Sequence, residues 1–161
     1  MSGVVVSDAS PLNYLAIIDA VELLPRFYSS VLIPPAVAAE LSNSKAPVAV
    51  VTLVRNPPSW LEIRAPSQVD YSLGLDAGET EAIALAAELG MEAILMDERK
   101  GRKQATQKGL TPVGTLTILE QAAEFGWIDF EEHVSRLRGT TFRLHPQLIE
   151  EAKQRLRGKP Q

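Results

Sequence analysis

The sequence contains no cysteine, which excludes disulfide bonds, thiolate zinc sites and cysteine nucleophiles. Nor does any apolar run approach the ~20 residues that a membrane-spanning helix requires. The N-terminus also lacks the basic segment and the following hydrophobic segment of a secretory signal. We therefore expect a soluble cytoplasmic protein with no membrane association, and the absence of cysteine is compatible with a reducing compartment.

The sequence also contains fewer basic than acidic residues. The 20 Asp and Glu residues outnumber the 16 Lys and Arg residues, for a formal net charge of −4. This balance argues against a protein that coats nucleic acid non-specifically, although it is compatible with a local basic patch beside an acidic pocket. The motifs of phosphate-binding loops, dinucleotide-binding folds and serine hydrolases are absent as well.

Short apolar runs alternate with helical patterns along the chain. The length of 161 residues and the 45% hydrophobic content suit one domain over residues 1–161. The alternation predicts an α/β fold, a three-layer sandwich whose central, mainly parallel sheet is flanked by helices. We expect its core at about residues 3–125 and a C-terminal helical extension at about 130–157. Periodicity leaves residues 48–54 open between helix and strand. The predicted strands are 3–6, 31–33, 60–64, 93–96 and 112–114.

The stretch from Asp76 to Asp97 combines a predicted helix with a buried strand and carries an acid near each end. At about 100° per residue, Glu79 projects along the apolar face of this helix, whereas Glu81 lies about 200° away and is expected in water. The competing interpretation of Glu79 is a capping box, because an acid at 76 and a glutamate at 79 have the spacing of an N-cap and the third helical position.

Two further acids follow predicted strands. Asp8 comes just after strand 3–6, as Asp97 comes after strand 93–96. If the two strands are parallel neighbours, both carboxylates emerge at the carboxyl edge of the sheet, where α/β proteins bind ligands. Glu40 lies early in the helix after strand 31–33. The alternatives are a turn aspartate that binds local amides for Asp8 and a solvated helix residue for Glu40.

These four acids would form a metal site if they met at one edge of the sheet. Four carboxylates cannot all stay ionised there without a counter-charge. Mg²⁺ or Mn²⁺ prefers such oxygen ligands, and one or two ions could activate water and stabilise a phosphate in reaction. The basic residues that follow the fourth acid could bind RNA phosphates. These basic residues are Arg99, Arg102 and Lys103.

Four segments, taken together in their order and spacing, resemble the PIN-domain nucleases. The resemblance is closest to a bacterial and archaeal branch of that family with a GExEAIALA helix and a DER-G-R segment, and it covers about residues 3–125. Each motif is weak alone and strong in combination. The segments are VVVSDASPLNYLA, VLIPPAVAAEL, LDAGETEAIALAAELG and AILMDERKGRKQA.

The resemblance implies a Mg²⁺- or Mn²⁺-dependent endoribonuclease that hydrolyses RNA phosphodiester bonds. Members of the family include toxins that a partner antitoxin inhibits, and homodimers are common, so an antitoxin partner and a homodimer are both expected. The four acids of the family fall on Asp8, Glu40, Glu79 and Asp97 as catalytic and metal-binding residues.

The chain departs from the family pattern at one of these acids. The family often has aspartate at the third place, so the glutamate at position 79 leaves Glu81 as an alternative ligand. Ser10 and Thr115 match positions where small hydroxyls support the site, although each could instead cap a helix. Glu98 is a further candidate because it lies beside Asp97.

Two other functions compete with the nuclease. One is a catalytically weak or inactive module of the same fold that binds RNA or protein; the four convergent acids argue against it. The other is phosphoryl transfer through Asp8 as a nucleophile. That chemistry lacks its second acid two residues further on, where Ser10 stands.

Overall fold

Five short strands form one parallel sheet in the computed structural model, which describes residues 3–43 and 45–158. The strands are β1 Val4–Ser7, β2 Ser30–Ile33, β3 Leu61–Ile63, β4 Ala93–Leu95 and β5 Thr111–Val113. Their order in the sheet is β3-β2-β1-β4-β5, with parallel pairing throughout. Pro112 of β5 lies on an edge strand, where a residue without a backbone N–H is tolerated.

Helices connect the strands and follow the last of them. Among the described residues they are α1 Ala9–Ile17, α2 Leu24–Phe27, α3 Pro35–Leu41, α4 Val48–Arg55, α5 Ala77–Glu88, α6 Arg99–Gln107, α7 Thr115–Glu124, α8 Phe130–Arg138 and α9 Pro146–Arg157. Single 3₁₀ turns occur at Val21–Leu23 and Tyr71–Leu73. None of these helices is long and apolar enough to cross a membrane.

The adjacent strands β1 and β4 bury both faces because successive side chains point to opposite sides of the sheet. Val5 and Leu95 join one core with residues of α1, α7 and α8, whereas Val6 and Ile94 join a second core with residues of α5 and α6. All four side chains are at most 1% exposed. The predicted three-layer α/β sandwich is therefore confirmed.

The structure settles one assignment that the sequence left open and corrects one prediction. Residues 48–54, left open between helix and strand, belong to α4, whose inner face buries Val50, Leu53 and Val54. Thr115, expected in a turn, is the first residue of α7. Gly90 does follow α5 with a φ of +65°, the left-handed conformation that ends a helix at little cost for glycine.

The core predicts a contrast between two leucines in helices. Leu15 of α1 is fully buried, whereas Leu148 of α9 is 49% exposed. Replacing Leu15 by Ala should cost about 2–5 kcal/mol of unfolding free energy, since it removes buried methyl groups and leaves a cavity. The same change at Leu148 should cost less than about 1 kcal/mol. Urea unfolding of both variants measures the difference, and equal losses would contradict this packing.

Candidate functional site

Asp8 and Asp97 lie at the same edge of the sheet because β1 and β4 are parallel neighbours. Val6 pairs with Ile94 and Ser7 with Leu95. The pairing continues one residue further, since the Asp8 N–H donates to the Leu95 carbonyl at 2.8 Å. The two acids that follow these strands are thus brought together, as the apolar runs before them predicted.

Asp97 is held by two hydroxyl side chains and one backbone amide. Thr115 donates through its N–H to Oδ1 at 2.7 Å and through its hydroxyl to Oδ2 at 2.7 Å. The Ser10 hydroxyl donates to Oδ2 at 2.6 Å. The N-cap positions of α1 and α7 belong to Asp8 and Gly114. The alternative of Ser10 and Thr115 as helix caps is therefore wrong, because both hydroxyls are directed at Asp97.

Glu79 combines the two roles that the sequence left as alternatives. With Asp76 it forms a capping box: the Glu79 N–H donates to Asp76 Oδ1 at 2.7 Å, and the Asp76 N–H donates to Glu79 Oε1 at 3.4 Å. The side chain is nevertheless only 7% exposed. Its second oxygen, Oε2, is buried and has no hydrogen-bond partner within residues 3–43 and 45–158.

Asp76 is a fifth acid of this edge, which the sequence indicated only as a helix cap. A Cβ placed on Gly78 would lie 3.5 Å from Asp8 Oδ1 and 3.6 Å from Asp76 Oδ1, so both carboxylates border the same glycine. Asp76 also raises the pKa values of Asp8, Glu79 and Glu40. The spacing of a capping box could not reveal this, because it describes one helix alone.

Burial raises the pKa of Asp8 to about 7. An interaction with the Ala9 backbone opposes the shift, whereas the negative charges of Asp76, Glu40 and Asp97 add to it. Desolvation disfavours the charged form of a carboxyl, and neighbouring carboxylates disfavour it further. At neutral pH, Asp8 is consequently divided between its protonated and ionised forms.

Burial likewise raises the pKa of Glu79, to about 8. Hydrogen bonding to the Asp76 side chain and the charges of Asp76 and Asp8 shift it in the same direction. The pKa of Glu40, an exposed residue of α3, is raised by partial desolvation and then by Asp76. The acidic edge therefore carries more carboxyl groups than it can ionise without a compensating positive charge.

The angular position of Glu81 on α5 predicted a freely solvated side chain, and this prediction is wrong. Glu81 is partly buried, and its Oε1 accepts the backbone N–H of Ala36 at 3.1 Å, near the start of α3. Its Oε2 accepts the Tyr71 hydroxyl at 3.2 Å. This correction has a simple cause: α5 packs against α3 as well as against the sheet, so its second face is also partly covered.

The basic residues after Asp97 lie on α6. Arg102 is partly buried and donates through Nη1 to the Met96 carbonyl at 2.8 Å. Arg99 and Lys103 are exposed, and neither forms an ion pair with any residue that the structure describes. Glu98 is exposed as well and occupies the N-cap of α6 without a side-chain capping bond.

The donor set of this edge fits a divalent cation with oxygen ligands. Carboxylates supply every candidate ligand, and one buried oxygen of Glu79 has no partner among the described residues. Burial, together with neighbouring carboxylates, raises the pKa values of Asp8 and Glu79. Within the described ranges, however, no three His, Asp or Glu side chains are arranged to hold a metal ion. The carboxyl groups share an edge, but Glu79 Oε1 is held in its capping box.

Comparison with known proteins gives one family and one solved structure. A family described as "DUF3368: PIN domain" matches residues 4–158. The fold is similar to that of a PilT N-terminus domain protein, SSO1118, from the hyperthermophilic archaeon Sulfolobus solfataricus P2. That similarity has a TM-score of 0.47 and 15% sequence identity, and it covers 90% of this chain and 100% of the other. No curated protein matches the sequence significantly.

The raised pKa values predict how stability depends on pH in the absence of divalent cations. In the folded protein Asp8 and Glu79 titrate near 7 and 8, above their unfolded values of 3.8 and 4.5. The folded state therefore binds more protons than the unfolded state between these values, and its stability falls as pH rises from about 4 to about 8. We expect a loss of several kcal/mol across this window.

Urea unfolding in EDTA between pH 5 and pH 8.5 measures this loss. Asp8→Asn removes one of the charges, so the variant should lose less stability than the wild type as pH rises and should be the more stable of the two at pH 8. Identical pH profiles for the two proteins would show that the raised pKa of Asp8 does not account for the loss of stability.

Gly101 of α6 predicts a packing defect. A Cβ there would lie 2.6 Å from both Glu79 Oε2 and Met96 Sδ, so both of these buried side chains must move. Gly101→Ala should therefore destabilise the protein by about 1–3 kcal/mol, although alanine favours helix. Gly139→Ala is the matched control, since its nearest atom would be 3.4 Å away. Denaturant unfolding compares them, and a neutral or stabilising Gly101→Ala would refute the close contact.

Proposed function

The chain belongs to the PIN-domain family, and from this premise we propose that it is a metal-dependent endoribonuclease that hydrolyses RNA phosphodiester bonds. PIN domains are generally nucleases and typically use divalent metals. The proposed reaction takes place at the carboxyl edge of the sheet, where Asp8 and Asp97 follow neighbouring strands.

One observation carries the proposal: Asp8 and Glu79 are both desolvated and close to other acids, and neither forms an ion pair with a cation in the described part of the chain. Burial and neighbouring carboxylates raise the pKa of Asp8 to about 7 and that of Glu79 to about 8. A purely structural role would not favour this arrangement, because it weakens folding at neutral pH. Buried groups with such shifts, gathered at the carboxyl edge of a parallel sheet, are typical of functional sites.

The four acids Asp8, Glu40, Glu79 and Asp97 are the proposed ligands of Mg²⁺ or Mn²⁺. When bound, such an ion would activate water and stabilise the negative charge that develops on the phosphate. Glu79 Oε2 accepts no hydrogen bond from the residues that the structure describes. Glu40 is exposed and would have to turn toward the edge.

The remaining residues position these acids and the RNA. Ser10 and Thr115 fix the orientation of the Asp97 carboxylate with three hydrogen bonds of 2.6–2.7 Å. Arg99 and Lys103 are exposed cations near the start of α6 and are proposed to bind flanking phosphates. Arg102 is proposed to do so with the guanidinium nitrogens that it does not use on Met96.

A toxin that an antitoxin inhibits is one form that this activity could take, and the resemblance to toxin nucleases supports it. Inhibition of this kind requires a protein that binds the nuclease. Co-purification of the chain with the product of an adjacent small gene for a DNA-binding protein would support this form of the proposal, and cleavage in the absence of any partner is expected in either case.

The proposal predicts graded losses of Mn²⁺-dependent cleavage of single-stranded RNA. Asp8→Asn and Asp97→Asn should each reduce kcat/KM by more than about 100-fold, because each removes a ligand charge. Thr115→Val should reduce it by about 10–100-fold, because the valine cannot donate to Asp97 Oδ2. Initial rates on a fluorescent oligonucleotide give these values.

The matched control is Asp19→Asn, the same substitution at an exposed residue after α1, at the opposite edge of the sheet. Its φ of +59° is a conformation that asparagine tolerates well. It should cleave as the wild type does. RNA binding without cleavage in the presence of Mg²⁺ or Mn²⁺ would instead favour a binding module of the same fold.

A further inference from the structure

An exposed tyrosine, Tyr71, lies on a capped turn shortly before α5. Tyr71 begins the 3₁₀ turn Tyr71–Leu73, and 63% of its surface is exposed. Asp70 caps this turn by accepting the Ser72 N–H at 3.0 Å. A large aromatic ring that is left in water on an ordered turn has not been placed there by burial, because it contributes little to the core.

The ring is tied to two helices through one glutamate. The Tyr71 hydroxyl donates to Glu81 Oε2 at 3.2 Å, and Glu81 Oε1 accepts the Ala36 N–H at 3.1 Å. Glu81 belongs to α5 and Ala36 to α3. The phenol hydroxyl is consequently held where these helices meet, while 63% of the residue stays exposed.

The same pair of helices leads from Tyr71 to the acids. Glu81 lies five residues after Asp76, a distance of about 7.5 Å along a helix that rises 1.5 Å per residue. On α3, Glu40 follows Ala36 by four residues and so lies on the same face. Tyr71 is thus tied to the helix that carries Asp76 and Glu79 and to the helix that carries Glu40.

The acidic residues where α3 contacts α5 favour an RNA base over a phosphate. Glu40, Asp76 and Glu81 line the meeting of α3 and α5, and carboxylates repel phosphates. The exposed cations Arg99 and Lys103 belong to α6, which follows β4, whereas α3 follows β2; these two strands lie on opposite sides of β1. Phosphates are favoured near the cations of α6 and near Lys108, which interacts electrostatically with Asp70, whereas an uncharged base is favoured where the Tyr71 hydroxyl meets the Glu81 carboxylate.

We infer that the Tyr71 ring is a stacking surface for one base of a single-stranded RNA substrate. This inference rests on the proposed nuclease function and adds a substrate-binding residue to it. Stacking between a base and an aromatic side chain tolerates any base, because every base has a π face. Tyr71 would therefore improve binding without selecting a sequence.

Steady-state cleavage of a twelve-nucleotide single-stranded RNA with Mn²⁺ tests the inference. Tyr71→Ala should raise KM by about 5- to 100-fold with a smaller change in kcat, since stacking contributes to binding. Tyr71→Phe keeps the ring and loses only the hydroxyl, so it should retain most of the wild-type affinity. Phe125→Ala is the matched control: Phe125 is also 63% exposed but lies just after α7, at the opposite edge of the sheet.

An abasic nucleotide moved along the same RNA locates the stacked base. At one position it should raise KM for the wild type and for Tyr71→Phe, but leave KM of Tyr71→Ala unchanged, because that variant has no ring to lose contact with. Equal KM values for the wild type and Tyr71→Ala, or a loss that is the same at every abasic position in both, would overturn the stacking role while leaving the nuclease function intact. A wild-type protein that cleaves no RNA would overturn both.

Discussion

The pairing of β1 with β4 is the interaction on which the candidate site depends. It continues past the ends of both strands through the hydrogen bond from the Asp8 N–H to the Leu95 carbonyl, 2.8 Å long. Because the strands are parallel, the residues that follow them leave the sheet together. Asp97 is then within reach of Ser10, from the helix after β1, and of Thr115, from the helix after β5. Three adjacent strands thereby determine the position of one carboxylate.

The same convergence creates an electrostatic cost. Asp8 and Glu79 are 5% and 7% exposed, and neighbouring acids raise their pKa values beyond the effect of burial. Folding therefore keeps protons on carboxyl groups that would be ionised in water at neutral pH. A bound divalent cation would offset this cost, which no described side chain of the edge does, since Arg102 is directed at the Met96 carbonyl. Active sites commonly contain groups that lower the stability of the folded protein.

The sequence was most informative where one strand or one helix decides the outcome. Asp8 and Asp97 could be placed because each directly follows an apolar strand, and parallel strands end at one edge. The capping box at Asp76 and Glu79 was also foreseen, because it is a local motif. Residues 48–54 could not be assigned, since a run of valines fits either a helix or a strand until its neighbours are known.

Contacts between elements that are distant along the chain explain the rest. Angular arithmetic placed Glu81 in water because it treats α5 as covered on one side only, whereas α3 lies against a second side and binds Glu81 through the Ala36 N–H. The bond from Tyr71 to Glu81 spans a turn and a helix and has no sequence signature. Asp76 was assigned to its cap alone because nothing in the spacing of α5 indicates that Asp8 lies across Gly78.

Proton release on cation binding is the most direct test of the charge imbalance at this edge. Calorimetric titration of the protein with Mn²⁺ at pH 7, repeated in buffers of different ionisation enthalpy, counts the protons that leave the protein for each ion bound. With Asp8 titrating near 7 and Glu79 near 8, binding should release about one proton per ion. Absence of Mn²⁺ binding, or binding with no proton released, would contradict the conclusion that these carboxyl groups form a cation site.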